Sequence, residues 1–245
     1  LGLILENGKY ALIHTGLGDK TAAAAAAVLI PPSRVLPNLQ VTELRERSDA
    51  VPANIRLTPV FICFEAVILG FLMSAVLMLG EKRERALNVY RISPGGTLTY
   101  VSAKTALFAL TGTAYAAMMT AATAGFGIDW AAFTVLTLLG CALYTLLGMC
   151  LAVFFRDISG WFMTAIILLS LNMLPAVSYI SPEFAPGWIS AIPSYDAIFA
   201  YSEIMFPAGK DLTEPLLILA AETAAAFALC AALVRFRLLS ARREA

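Results

Sequence analysis

TPVFICFEAVILGFLMSAVLMLG, residues 58–80, runs directly into EKRERALNVYRISPGGTLTYVSAK, residues 81–104. Apart from Glu65 the first stretch has no charged side chain, and its length suits the roughly 20 residues of helix needed to cross a hydrocarbon core about 30 Å thick. The second gathers Lys82, Arg83, Arg85, Arg91 and Lys104 into one connection, which belongs in water. The same alternation recurs downstream. Residues 105–125, 131–155, 160–180 and 215–234 are further apolar runs of spanning length, and the fourth run in chain order tolerates Asn172 and Pro175 if neighbouring helices satisfy the carbonyl that proline frees. With 60% hydrophobic and only 14% charged residues, the chain lies outside the range of ordinary soluble domains. The reading is an all-α membrane protein, a polytopic helical bundle with five spans, occupying residues 58–245.

Net charge is zero, but the basic residues are unevenly placed. Connections on one side (81–104, Arg156 and the tail with Arg235, Arg237, Arg242 and Arg243) hold ten Lys or Arg, against Lys210 alone on the other. By the positive-inside rule the C-terminus is cytoplasmic and, with five spans, residues 1–57 are extracytoplasmic. Trp130 and Trp161 stand at span ends, where interfacial aromatics are expected.

Residues 1–57 read differently. Two short apolar runs flank Asn7-Gly8, a pair that suits a type I′ hairpin turn, and Asp19 could cap a short helix through the alanines at 22–27. Prolines 31, 32, 37 and 52 break up the remainder. The expectation is a small extracytoplasmic α/β element.

Enzyme signatures are missing. Neither Gly8-Lys9 nor Gly209-Lys210 has the upstream glycine and following Ser/Thr of a phosphate-binding loop, and there is no H-E-x-x-H or G-x-S-x-G. Cys63, Cys141, Cys150 and Cys230 lie inside apolar runs and His14 is the sole histidine, so neither a disulfide framework nor a Cys/His metal site is indicated. The chain is not expected to act as an enzyme, to hold a metal or cofactor, or to bind nucleic acid.

The connection 81–94 is the most informative stretch. Glu81, Arg83, Glu84 and Arg85 are followed by apolar Leu87, Val89, Tyr90 and Ile92, interrupted by Arg91, so a helix here is short and amphipathic; Ser93-Pro94-Gly95-Gly96 ends it. Such a helix can rest one side on the bilayer and offer the other to a soluble partner, or it can be a basic anchor that only sets topology. The stretch resembles the signature loop of type-2 ATP-binding cassette exporter permeases, with Glu81, Glu84, Leu87, Ser93, Pro94, Tyr100 and Lys104 in register. Two positions depart: Arg85-Ala86 replaces a common Gly-Thr pair, and Thr99 an acidic residue. Pro175, Ser178, Pro182, Pro186, Trp188, Ile192, Pro193 and Tyr195 are similar to the proline- and aromatic-rich outer segment of these permeases. With Arg156-Asp157 the likeness covers about residues 55–240. It implies a coupling helix that docks on a separate cytoplasmic ATPase, which binds the ATP and Mg, and a second permease copy or homologue. It also implies six spans in the full family fold, one of them upstream of Leu1, and drug exporters are among the permeases with similar outer segments.

Three further features are open at this level. Glu65 inside a span is either a substrate-path residue or one end of an interhelical hydrogen bond, and Asn172 beside Pro175 is either a path residue or a partner for broken backbone bonds. Small residues recur every fourth position at Ala109, Thr113, Ala117 and Ala121 and again at Ala220, Ala224, Ala228 and Ala232, a pattern for close helix packing within the chain or across a dimer seam. The functional expectation is an exporter permease for hydrophobic or amphipathic substrates, drug or lipid-like, in the plasma membrane. The alternatives are an ATP-independent secondary transporter or channel, and a non-transporting assembly subunit.

Overall fold

The computed structural model describes residues 2–6, 9–13, 52–84, 86, 96–181, 183–184, 186–207, 209 and 211–239. The chain divides into two units, 1–51 and 52–245. In the first, strands β1 (Gly2–Glu6) and β2 (Lys9–Ile13) pair antiparallel from Gly2 opposite Ile13 to Glu6 opposite Lys9, a register that leaves two residues for the turn. The helix expected over 22–27 lies outside the described residues, so nothing supports the α part of the N-terminal element.

The second unit is helical. Five stretches are long and apolar enough to cross a membrane: Ala53–Arg83, Gly96–Ala124, Trp130–Ala152, Ile158–Ile180 and Thr213–Arg237. The first is composite, with α1 (Ala53–Phe61), a π-helical turn (Ile62–Val67) and α2 (Leu69–Arg83). Pro59 lies inside α1 and donates nothing to the ladder, and the turn that follows is closed by a bond from the Ile68 N–H to Cys63 O, 3.2 Å. Helix α3 (Gly96–Ala124) starts at Gly96 rather than near Lys104. Polar Thr97, Thr99 and Ser102 hide this first part from a hydropathy scan while leaving it a sound helix.

Helix α4 (Trp130–Ala152) is the axis of the bundle. Asp129 caps it, its Oδ1 accepting from the Ala131 and Ala132 N–H groups at 3.0 and 3.1 Å. Its inward faces carry Phe133, Leu136, Tyr144, Leu146 and Met149, all buried. Glycines set how closely α2 lies against it: a Cβ on Gly148 would collide with the Phe71 carbonyl oxygen, and one on Gly70 with the Thr145 hydroxyl. Ser74 then donates from Oγ to Thr145 O at 3.0 Å, a bond only such close backbones allow.

Helix α5 (Ile158–Asn172) is capped by Asp157, which accepts from the Gly160 N–H at 2.7 Å, and it breaks at Asn172 before α6 (Leu174–Ile180). Proline at 175 cannot donate and the Ala176 N–H turns to Met173 O, so the Asn172 carbonyl is free to accept from Ser194 Oγ at 2.8 Å. The segment 181–214, expected as an outer connection, contains a helical turn (Ile189–Ala191) and α7 (Pro193–Met205). Helix α7 is too short to span, yet it buries Ile198 and Tyr201, and the Tyr201 hydroxyl reaches Thr137 Oγ1 at 3.0 Å. Helix α8 (Thr213–Leu233) and a last π-helical turn (Val234–Leu239) follow.

Apart from Ala109, the two stripes of small residues are not the faces buried within this chain. On α3 the buried small residues are Ala109, Gly112, Ala116 and Thr120, while Thr113, Ala117 and Ala121 are only half-buried. On α8 the inward residues are Leu219, Ala226 and Cys230, while Ala224 and Ala228 face away from this chain. A strict four-residue repeat advances about 40° per step around a helix, so it drifts off a packing face that alternates steps of three and four. Trp161 is no interfacial anchor either: it is fully buried, its ring 5.6 Å from that of Phe71. Trp130 stays at its helix start and donates to Phe126 O at 3.2 Å.

Candidate functional site

One end of the bundle is basic and internally tied. Glu81 lies in the last turn of α2, and Tyr100 and Lys104 lie one turn apart on the same face of α3. The Tyr100 hydroxyl donates to Glu81 Oε2 at 2.6 Å, and Lys104 Nζ meets Glu81 Oε1 at 2.5 Å. Both charged side chains are largely covered, at 16% and 17% exposure, so the carboxylate is held by a phenol and an ammonium with little water between them. The two helices that flank the connection 84–96 are thereby fastened at its base.

Lys82, the next residue, reaches the other way. Its ammonium donates to the carbonyls of Ala152, Val153 and Phe155 at 3.2, 3.0 and 2.6 Å, closing the C-terminal end of α4. The last carbonyls of a helix lack intrahelical partners and carry the negative end of its dipole, so a cation is well placed there. Glu81 and Lys82 together pin the end of α2 to the start of α3 and the end of α4. Arg83 and Glu84 point outward, and the Ala86 N–H still bonds back to Glu81 O at 3.0 Å. Arg85, Leu87, Arg91, Ser93 and Pro94 lie outside the described residues, as does most of the amphipathic helix expected there.

Arg156, Arg235 and Arg237 are exposed, and Arg237 rests its guanidinium 4.9 Å from the centre of the Phe154 ring, at this same end. The opposite end is rich in carboxylates: Asp129, Asp196, Glu203, Asp211 and Glu214. Partial burial raises the Asp196 pKa above the ordinary carboxylate value, and nearby Glu214 adds to the shift. Asp211 is shifted the other way by hydrogen bonds from the Thr213 hydroxyl and N–H.

Glu65 and Asn172 sit apart in different settings. Glu65 is on the π-helical turn, on an exposed stripe of the first span with Phe61, Leu69, Met73 and Val76, and its Oε2 accepts from the Tyr115 hydroxyl of α3 at 3.1 Å. An interhelical hydrogen bond, one of the two readings open for Glu65, is present, on a face that this chain leaves uncovered. Asn172 is drawn inward instead: Tyr144 donates to its Oδ1 at 2.7 Å, and its own Nδ2 bonds to Leu168 O at 3.3 Å. Its carbonyl partner Ser194 makes it the joint of a broken helix. Sequence reading missed Tyr144, Ser194 and Tyr201, since a tyrosine or serine in an apolar run gives no sign of which face it occupies. Among the described residues no group of His, Cys, Asp or Glu could hold a metal ion.

Four spanning stretches packed around a fifth, buried axial one, closed at one end by a polar clasp, define a multi-pass integral membrane protein. Residues 23–232 match the family model described as ABC-2 family transporter protein, and the chain belongs to that family. It is thus a membrane permease subunit of the ATP-binding cassette type. No curated protein and no solved structure matches it.

Proposed function

We propose that the chain is the membrane half of an ATP-driven exporter, moving a hydrophobic or amphipathic substrate out of the cell with energy from a separate cytoplasmic ATPase. The observation that carries this reading is the clasp at the basic end. A connection tied to its flanking helices through Glu81, Tyr100 and Lys104, and to the axial helix through Lys82, passes a displacement to three spans at once. An isolated topological anchor has no need of these bonds.

The basic end faces the cytoplasm under this reading, in keeping with the distribution of Lys and Arg. Two permease copies, or one and a relative, enclose the path, and the uncovered stripe around Glu65 and Tyr115 forms part of its wall. That wall is apolar except for one hydrogen-bonded carboxylate, which suits an apolar or amphipathic cargo better than a strongly anionic one. Nucleotide-driven closure of the ATPases moves the connection 84–96, and the ATPase can favour one permease state only through contacts that differ between states. Reversing Arg83 and Arg85 to Glu in the reconstituted permease–ATPase complex is the test. Loss of substrate-stimulated ATP hydrolysis, with the permease still inserted, supports coupling through this loop; unchanged stimulation removes it.

A further inference from the structure

Between α5 and α8 the bundle has a long apolar slot that the exporter reading leaves unused. Its floor is Phe71 of α2 with Tyr144 and Cys150 of α4, all buried; its walls are Leu168 of α5 and Leu229 of α8, both exposed on the outside of this chain. The volume is about 440 Å³, within the roughly 300–1,000 Å³ typical of ligand cavities. No carboxylate lines it. Its two polar side chains, Tyr144 and Asn172, are hydrogen-bonded to each other, so the interior asks for no polar ligand group.

Length and charge narrow the occupant. From Tyr144 to Leu151 the slot follows α4 for about 10 Å and continues past the helix end to Phe154, so it runs from the interior of a hydrocarbon core about 30 Å thick toward the surface of one leaflet. A volume of about 440 Å³ drawn out along that path makes room for one extended hydrocarbon chain. At the end away from the midplane, Phe154 carries the Arg237 guanidinium on its ring, and exposed Arg156 follows two residues later. The nearest acidic group in sequence, Asp157, is engaged with the Gly160 N–H. The slot therefore has a greasy interior and a cationic mouth at headgroup level.

We propose that this slot binds one acyl chain of an anionic phospholipid from the leaflet on the basic side, with the phosphate against Arg237. A guanidinium recognises phosphate through charge-assisted, often bidentate, hydrogen bonds, and the acyl chain covers Leu168 and Leu229. The assignment holds whichever face of the membrane the basic end occupies, and it does not depend on the transport cycle.

Trp161 supplies the probe, since it is shielded from bulk lipid and its ring lies 5.6 Å from Phe71 on the slot floor. The full chain with Trp130→Phe and Trp188→Phe is reconstituted in vesicles of phosphatidylcholine into which phosphatidylglycerol or phosphatidylcholine with brominated acyl chains is titrated. Brominated phosphatidylglycerol is expected to quench Trp161 at about tenfold lower mole fraction than the brominated choline lipid, the scale of one lost charge-assisted contact. Arg237→Gln abolishes the preference, and Leu229→Phe with Cys150→Phe, which narrows the slot from wall and floor, weakens the quenching itself. Native mass spectrometry of the same proteins is a second readout: one retained phosphatidylglycerol in the parent and a reduced share of lipid-bound protein in both variants. Equal quenching by both lipids, a preference unmoved by Arg237→Gln, or no quenching because a second copy covers the slot would each overturn the assignment.

Discussion

Helices α4 and α5 are both apolar and both of membrane-crossing character, yet the bundle treats them in opposite ways. About two thirds of the most apolar stretch of Trp130–Ala152 is buried within this chain, against 22% for Ile158–Ile180. Helix α4 meets α2 through glycines and an intimate serine bond, while α5 buries only Trp161 and Ala165 and leaves Phe162, Met163, Ile166 and Ile167 facing outward. In lipid, exposed apolar side chains cost little, so burial here reports packing partners and not hydrophobicity. The lesson is that α2 and α4 form the packed centre of this chain, while α5 presents most of its apolar surface outside it.

Mutations that attack the two helices should separate them sharply. Gly148→Leu places a branched side chain where not even a Cβ fits, and we expect loss of the folded, detergent-stable form, since overpacking costs about 1–3 kcal/mol even where some relaxation is possible. Ile167→Ala on the open face of α5 should stay within about 0.5 kcal/mol of the parent. Thermal unfolding in detergent measures both, and similar shifts in the two would erase the distinction. Lys104→Met removes the counter-ion of the covered Glu81 carboxylate, leaving it the Tyr100 hydroxyl, and should destabilise by about 2–3 kcal/mol, with part of that recovered in the double variant Glu81→Gln/Lys104→Met. No recovery would mean that the pair is not coupled. Glu65→Gln keeps an acceptor for Tyr115 and sits on an uncovered face, so stability should be unchanged while transport of a permeant substrate falls if that face is the path wall.

A small, pH-dependent effect is expected at the acidic end. Asp196 has a folded-state pKa above its unfolded value, so the folded protein holds the proton more tightly and stability falls as pH rises through the interval from about 4 up to the raised value. Asp196→Asn removes that part of the pH dependence and slightly stabilises the protein above the interval. Unfolding midpoints across the acidic range would show the difference between the two curves.

Five spans were legible because apolar runs of spanning length separated by basic connections have few other readings, and the alternation survives polar intrusions such as Glu65 and Asn172. Helix ends were less visible: α3 starts at Gly96 because threonine and serine outside the apolar run are helical without being apolar. Facing was poorest. A four-residue spacing could not tell packing within the chain from an outer face, and Ala224 and Ala228 turn outward; Trp161, placed at a span end, proved to be core. The clasp was half legible. Tyr100 and Lys104 share a helix face by their spacing, but a single sequence cannot show that Glu81 lies beneath them or that Lys82 closes a different helix. Packed α7 was hidden because a helix of 13 residues among prolines and carboxylates looks like a loop.

The most direct measurement concerns the connection between α2 and α3, which the exporter reading places against a cytoplasmic ATPase. All four native cysteines are buried, so Asn88→Cys gives a thiol against a quiet background. Intact cells and inside-out vesicles are treated with a membrane-impermeant maleimide. Labelling confined to inside-out vesicles, and blocked when the ATPase is bound, is the predicted result; labelling confined to intact cells would put the clasp on the wrong side of the membrane and contradict the account.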